Sequence, residues 1–329
     1  MRPAGAMVQG ALAAVGLLGA WATWQREPER APGEAIVLDV THNDLGTIRY
    51  ETDKGWVELS AHKGDGVWLH VGPRSDAKTP ERVLRGNESA EKLYDKFAPL
   101  RATRGLGALG GDKLKEFGLD APKKKILVTA RGGQTTLLVG TSPYGVSDPY
   151  VKDDRDGKVY LLGGGVLADL ESASTRLIDR ALHQFLPTEW DGLTVTAGGK
   201  KKELVQVNAE SAMAAKIALK ANPTKPDDMA KNWHDKVWRL VSLDVLGHDE
   251  KPAGGEPQVV ARLDYTHRGK ERGFIELGRV TPPKPEGQSG AGPASEIYLR
   301  SEHTAGWVKV PSSADDLVKE AEKIAASAD

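Results

Sequence analysis

The acidic stretch 152–156 is the first candidate for chemistry, because it reads Lys-Asp-Asp-Arg-Asp between two apolar, strand-like runs. A calcium loop of the EF-hand type would need an acidic residue at its first position and a bidentate glutamate at its twelfth. The chain has Lys152 and Gly163 at those places. We therefore predict the tip of a β-hairpin, with Gly157 supplying the positive φ of a tight turn.

Two further motifs have the spacing of known catalytic or cofactor loops but not their context. Gly105, Gly107 and Gly110 spell G-x-G-x-x-G, yet a dinucleotide loop needs a strand before it and a long helix after it. Here a predicted helix precedes and only a short one follows, so we interpret the glycines as a linker. Ser60 and Lys63 have S-x-x-K spacing but end a predicted strand instead of opening a buried helix.

Metal ligation has little support in the sequence. There are no cysteines, which excludes thiolate sites and thiol nucleophiles. No two histidines are spaced i, i+2 or i, i+4, as a local metal pair would require; the eight lie at positions 42, 62, 70, 183, 234, 248, 267 and 303. We predict no catalytic, cofactor-binding or metal-binding residue and no cofactor.

The charge balance argues against nucleic acid as a partner. With 45 basic and 46 acidic residues among 329, the net charge of −1 provides no large positive field for a phosphate backbone. A hydrophobic content of 39% and a charged content of 28% are typical of a folded protein, and the length suits two domains.

Residues 3–24 form an uncharged, mainly apolar run, long enough as a helix to cross a hydrocarbon core of about 30 Å. A cleaved secretory signal is the alternative. We favour an uncleaved anchor, because Trp21 and Trp24 followed by Arg26 resemble an interfacial belt. Either interpretation sends the rest of the chain across a membrane, which predicts a single-pass protein of the bacterial inner membrane with its bulk in the periplasm.

The remaining elements predict an α+β fold. After a charged linker at 26–34 come four short strands, a helix behind Ser89 as N-cap, and the hairpin 126–139. We predict an anchor or signal at 1–25, a first α+β unit at 35–185, and a second unit at 186–329 with a Pro/Gly-rich loop at 281–295.

The two units are predicted to be related. Residues 126–139 and 259–277 both read as strand, RGG or RGK turn, strand, and each ends at a glycine. Each is followed by a second hairpin, at 150–162 and at 297–310, and then by an amphipathic helix. This order predicts one unit of antiparallel hairpins and helices that is used twice.

Residues 93–185 resemble a bacterial family of unknown function that is often encoded beside ABC transporters of the gliding-motility type. The shared motifs are a GLD-x-P corner at Gly118–Pro122, a hydrophobic-Gly corner at Val139 and Gly140, and the strands with Tyr150 and Val159–Leu161. The resemblance implies an N-terminal span and an extracytoplasmic region that acts as an auxiliary to the transporter. It implies no catalytic residues.

We therefore expect a non-enzymatic scaffold that binds a transporter permease or another envelope protein and is held at the membrane by its N-terminal helix. A carbohydrate-binding module is an alternative, for which exposed coplanar tryptophans would be diagnostic. A hydrolase with a dispersed site is a third, and would need a deep pocket with convergent carboxylates or histidines.

Overall fold

A computed structural model describes residues 33–73, 81–211, 213–283 and 293–327. Its first half contains eleven strands: β1 (Ala35–Leu38), β2 (Leu45–Glu51), β3 (Gly55–His62), β4 (Gly66–Pro73), β5 (Arg82–Arg85), β6 (Leu100–Ala102), β7 (Arg104–Ala108), β8 (Lys124–Ala130), β9 (Gly133–Val139), β10 (Tyr150–Asp153) and β11 (Lys158–Leu161). The helices of this half are α1 (Glu88–Asp95), α2 (Gly111–Glu116), α3 (Val166–Glu171) and α4 (Ala173–Arg176).

The second half is built in the same manner. Its strands are β12 (Gly192–Ala197), β13 (Lys200–Val207), β14 (Lys216–Leu219), β15 (Asn222–Pro226), β16 (Asp244–Val245), β17 (Gln258–His267), β18 (Lys270–Val280), β19 (Glu296–Ser301) and β20 (Val308–Lys309). Its helices are α5 (Asp228–Trp238) and α6 (Ala314–Ala326).

Two nine-stranded antiparallel sheets share one strand order. The first runs β5-β4-β3-β2-β8-β9-β10-β11-β7 and the second runs β15-β14-β13-β12-β17-β18-β19-β20-β16. In each, a four-stranded meander is followed by a helix and an outer strand, and a second meander then returns beside the first strand. β1 and β6 form a separate two-stranded ribbon in the first half.

Alternating burial explains why these segments are strands. On β8, Ile126 and Val128 are buried while their neighbours are partly exposed, and on β12 Leu193, Val195 and Ala197 are buried in the same rhythm. A period of two places such side chains on one face of the sheet. Each fully buried aliphatic side chain contributes about 1.5–3 kcal/mol.

The helices cover the apolar faces of the two sheets. α1 buries Leu93 and Tyr94 against the first sheet, and α6 buries Val318 and Ile324 against the second. The N-cap of α1 is Asn87, whose side chain accepts hydrogen bonds from the backbone N–H groups two and three residues on, and not Ser89 as predicted.

The α+β prediction is wrong, because antiparallel strands dominate the structure, with 42% strand against 17% helix. The amphipathic helix predicted after the hairpin 150–162 is the short pair α3 and α4. Conversely, β7 and β15, which are rich in Gly and Pro, become strands only through pairing with β11 and β14. Their sequences carry no alternation that would predict this.

Among the described residues, no helix is both long enough and apolar enough to span a membrane. The anchor predicted at residues 3–24, most of the linker 26–34 and the centre of the loop 281–295 lie outside the described residues. The domain boundaries at 185 and 186 stay a prediction. The strands of the first nine-stranded sheet fall within residues 45–161, and those of the second within 192–309.

A tight corner connects α2 to the first sheet. The backbone N–H of Thr141 donates to the carbonyl of Phe117 at 2.8 Å, and the Phe117 ring stacks on Tyr150 with centroids 3.8 Å apart. A side chain at Gly140 would overlap the Phe117 carbonyl oxygen and approach Leu119. The glycine is therefore required by close approach of two backbones.

Replacing Gly140 with Ala should lower the free energy of unfolding by about 1–3 kcal/mol, because the new methyl group meets a backbone oxygen that cannot rotate away. The matched control is Gly132→Ala, at a turn where a Cβ has no atom within 4 Å. Urea unfolding of the two purified variants measures the difference. Equal free energies of unfolding for the two variants would show that the backbone around Gly140 shifts to accept the methyl group without strain.

Candidate functional site

The acidic stretch is a hairpin turn, as predicted. β10 and β11 pair across it, and Gly157 has φ +71°. Asp153 is buried, and its carboxylate accepts hydrogen bonds from the backbone N–H of Arg155 and from the Arg155 guanidinium. Asp156 pairs with Lys158 at 2.7 Å. These charges are matched within the turn.

The two other motifs begin on strands and end outside them. Gly105 and Gly107 belong to the outer strand β7, and Gly110 caps the six-residue helix α2. Ser60 lies on β3, where its hydroxyl is 3.3 Å from His62 in an exposed setting, and Lys63 follows in the turn. Neither arrangement creates a phosphate cradle or an activated nucleophile.

The fold brings together aromatic and histidine side chains that the sequence scatters. In the second half, His183 stacks on Trp238 with centroids 4.0 Å apart, and both rings lie near Tyr265. His234 lies in the same cluster, 3.1 Å from the Tyr265 hydroxyl. Burial lowers the pKa of His234 and raises that of Tyr265 well above its usual value, so both are neutral at physiological pH.

Metal coordination has no support in the described part of the chain, where no three His, Asp or Glu side chains converge. His183 and His234 were not predicted to lie here. His183 reaches the Trp238 ring only through the path of the chain between the sheets, whereas His234 lies one turn before Trp238 on the same helix α5, an i, i+4 spacing that is visible in the sequence.

A second cluster joins the two halves. Arg85 on β5 donates to Asp65 at 2.6 Å and to the carbonyl of His303 at 3.0 Å, and its guanidinium lies 4.8 Å from the centroid of Trp68. His303 Nε2 is 2.7 Å from Asp179 on the connecting segment. The turn after β19 therefore holds the connection between the sheets.

Asp179 is one of two ionised carboxylates in this cluster, the other being Asp65. Burial alone would raise its pKa, but hydrogen bonds from His303 and from the backbone N–H of Ala181, together with the positive charge of Arg85, lower it below the usual value. A depressed folded-state pKa means that the carboxylate stabilises the fold at neutral pH.

An apolar cleft of about 390 Å³ opens beside the ribbon of β1 and β6. Its wall includes Pro99, Leu100, Ala102 and Val166, and Glu34 lies on its lining next to the first described residue. The adjoining polar residues are matched to each other and to the backbone. They are Lys96, which reaches the carbonyl of Gly164 at 2.8 Å and Asp169 at 3.3 Å; Arg101, which is 3.2 Å from Glu34; and Thr103, whose hydroxyl donates to the carbonyl of Leu161 at 3.0 Å.

The polar side chains beside this cleft are engaged within the protein. A general base or nucleophile needs a free or activated polar group facing a substrate. The charged groups of this lining are engaged in ion pairs, so the accessible surface is apolar.

A family model for a domain of unknown function, DUF4340, matches residues 87–256, more than half of the chain. The chain belongs to the DUF4340 family. Searches of curated proteins and of solved structures gave no significant match.

The DUF4340 match crosses both sheets. It begins at Asn87, the N-cap of α1, and ends at Glu256, just before β17. It contains the corner formed by Phe117 and Gly140 and the apolar lining from Pro99 to Val166. It also contains the helix α5 and, from the cluster beside it, His183, His234 and Trp238, but not Tyr265.

Replacing Asp179 with Asn should reduce the free energy of unfolding at pH 7 by about 1–2 kcal/mol, because the bond to His303 loses its charge assistance. The folded-state pKa of Asp179 is lowered, so this contribution is complete above the unfolded pKa of about 3.9 and is lost as pH falls through the folded value. Urea unfolding at a series of pH values measures the difference between wild type and variant. The control is Asp154→Asn in the exposed hairpin turn; a difference for Asp179 that stays constant into acid would contradict the assignment.

Proposed function

We propose that this DUF4340 protein is a non-enzymatic, membrane-anchored scaffold of the periplasm that acts as an auxiliary to an ABC transporter of the gliding-motility type. The observation that carries the binding role is the apolar cleft, whose neighbouring charges are matched among themselves. Apolar surface rimmed by polar groups is typical of contacts with another protein.

The position of the cleft supports a partner in the membrane. Residues 25–33 connect the apolar segment 3–24 to Glu34 at the cleft, and nine residues span at most about 30 Å. A cleft held so close to a bilayer faces the extracytoplasmic loops of membrane proteins. We therefore propose a permease loop with an apolar side chain as its occupant.

The carbohydrate-binding alternative gains no support from the tryptophans. Of the six in the described part of the chain, none is exposed; Trp56 is half-buried beneath Arg49, and Trp238 is half-buried beside His183. A sugar platform needs an open aromatic face. A hydrolase likewise gains none from the cleft, whose lining carries no convergent free carboxylates or histidines.

Thr103→Trp should abolish partner binding, because an exposed side chain on the cleft lining would be replaced by a bulky ring that obstructs the cleft. Thr175→Trp is the matched control: Thr175 is also exposed and its hydroxyl also donates to a backbone carbonyl, that of Ser172 at 3.0 Å. The measurement is affinity purification from gently solubilised membranes, with identification of the chains that co-elute.

We expect a permease or its ATPase to co-elute with wild type and with Thr175→Trp, and to be lost with Thr103→Trp. If wild type recovers neither subunit, the transporter proposal is wrong. If both variants retain the transporter equally, the cleft is not the binding surface.

A further inference from the structure

The loop between β9 and β10 presents an apolar tip to solvent. Tyr144 is fully exposed, and Val146, two residues on, is 47% exposed. No charged residue occurs between Arg131 and Asp148, although 28% of the whole chain is charged. Exposed apolar groups that lie together on a surface mark a contact with a membrane or with another molecule.

The other hairpin turns that the structure describes in the first nine-stranded sheet are charged. They join β2 to β3, β3 to β4, β8 to β9 and β10 to β11, at residues 52–54, 63–65, 131–132 and 154–157. Each of these turns contains at least one Lys, Arg or Asp. The apolar tip is therefore specific to the loop between β9 and β10, and is not a general property of turns in this sheet.

The tip of the loop is a hydrogen-bonded turn. The backbone N–H of Val146 donates to the carbonyl of Pro143 at 3.2 Å, and Gly145 has φ +76°. A positive φ at the third of four residues is typical of a type II turn, and glycine adopts it without strain. Tyr144 is the second residue of this turn, at its corner. Because the turn is already formed, a contact made by Tyr144 loses little backbone entropy.

The base of the loop lies against the lining of the apolar cleft. A carboxylate oxygen of Asp148 is 3.3 Å from the position that a Cβ would take on Gly163, and Gly163 lines the cleft together with Glu34. Four residues separate Asp148 from Tyr144 and span at most about 14 Å. The apolar tip is therefore close to the part of the molecule that the connection 25–33 holds near the bilayer.

A lipid surface suits this tip better than a protein pocket does. Tyrosine is enriched at membrane–water interfaces, where its ring meets acyl chains and its hydroxyl meets water. One ring and one isopropyl group offer far less area than the roughly 800 Å² that each partner buries in a stable protein interface. A loop on a chain that is already tethered to a membrane needs only a weak affinity for lipid, because tethering raises the effective concentration.

We propose that Tyr144 and Val146 insert into the interfacial region of the bilayer and form a second membrane contact beside the N-terminal segment. This inference rests on the membrane attachment in the proposed function and adds an orientation to it. The turns at 131–132 and 154–157 lie at the other ends of β9 and β10. The loop end of these strands therefore faces the lipid, and the two charged turns face away from it.

The test uses the full chain in phosphatidylcholine vesicles that contain phosphatidylcholine spin-labelled near its head group. Because the chain has no cysteine, Ser147→Cys accepts a single nitrobenzoxadiazole fluorophore beside the tip while both apolar side chains stay in place. Gln134→Cys is the matched control, since Gln134 is also uncharged and exposed but lies at the opposite end of β9. We expect a blue shift and quenching by the spin label at position 147 and neither at position 134.

Tyr144→Ser in the labelled Ser147→Cys chain should remove the blue shift and the quenching. Tyr144→Trp should retain both, because tryptophan also partitions to the interface. Flotation of the vesicles measures attachment of the chain separately. If the chain floats but the two labelled positions are quenched equally, or if quenching survives Tyr144→Ser, the loop contact is wrong and the anchor stands; a tip that binds only protein gives no quenching in these pure lipid vesicles. A chain that does not float overturns the loop contact together with the anchor.

Discussion

The edge strand β5 of the first nine-stranded sheet imposes the constraint on which the arrangement of the two halves depends. An unpaired strand edge presents backbone groups that other chains can extend, so proteins cover it. Here the carbonyl of Val83 accepts from the N–H of His248 at 3.1 Å, and the carbonyl of Arg85 accepts from the N–H of Asp179 at 2.8 Å. The second half and the connecting segment thus complete the edge of the first sheet, and Val245 and Val308 join its hydrophobic core.

The two sheets share one strand order, but the surfaces of the two halves differ. The two sheets repeat the order of meander, helix, outer strand and meander, yet the first half carries the apolar cleft beside β6 and the second carries the aromatic and histidine cluster beside α5. The free outer strand β15 contains Pro223 and Pro226, which limits its extension by another strand. A duplicated frame of this kind keeps its backbone hydrogen bonds while the side chains beside each helix differ. On α1, Tyr94 donates to the carbonyl of Leu45, and on α5, His234 lies 3.1 Å from the Tyr265 hydroxyl.

Local sequence was sufficient where the relevant interactions are local. The hairpin at Gly157 and the buried alternation of β8 and β12 follow from turn chemistry and a period of two, and both were predictable. β7 and β15 were not, because their residues become strands only when a neighbour supplies hydrogen bonds. The N-cap at Asn87 was missed for a related reason, since Asn87 and Ser89 are both suitable capping residues and the helix start depends on where β5 ends.

The sequence by itself determined the positions of the main hairpins, the repeated order of elements and the tight turn at Gly157, because all of these depend on residues close together in the chain. Only the tertiary structure decided the balance of strand over helix and the assembly of the cleft and of the aromatic cluster. The wall of the cleft joins Glu34 to Val166, and the aromatic cluster joins His183 to Tyr265. Such contacts depend on strand order and on the path of the connection between the sheets, which no local pattern specifies.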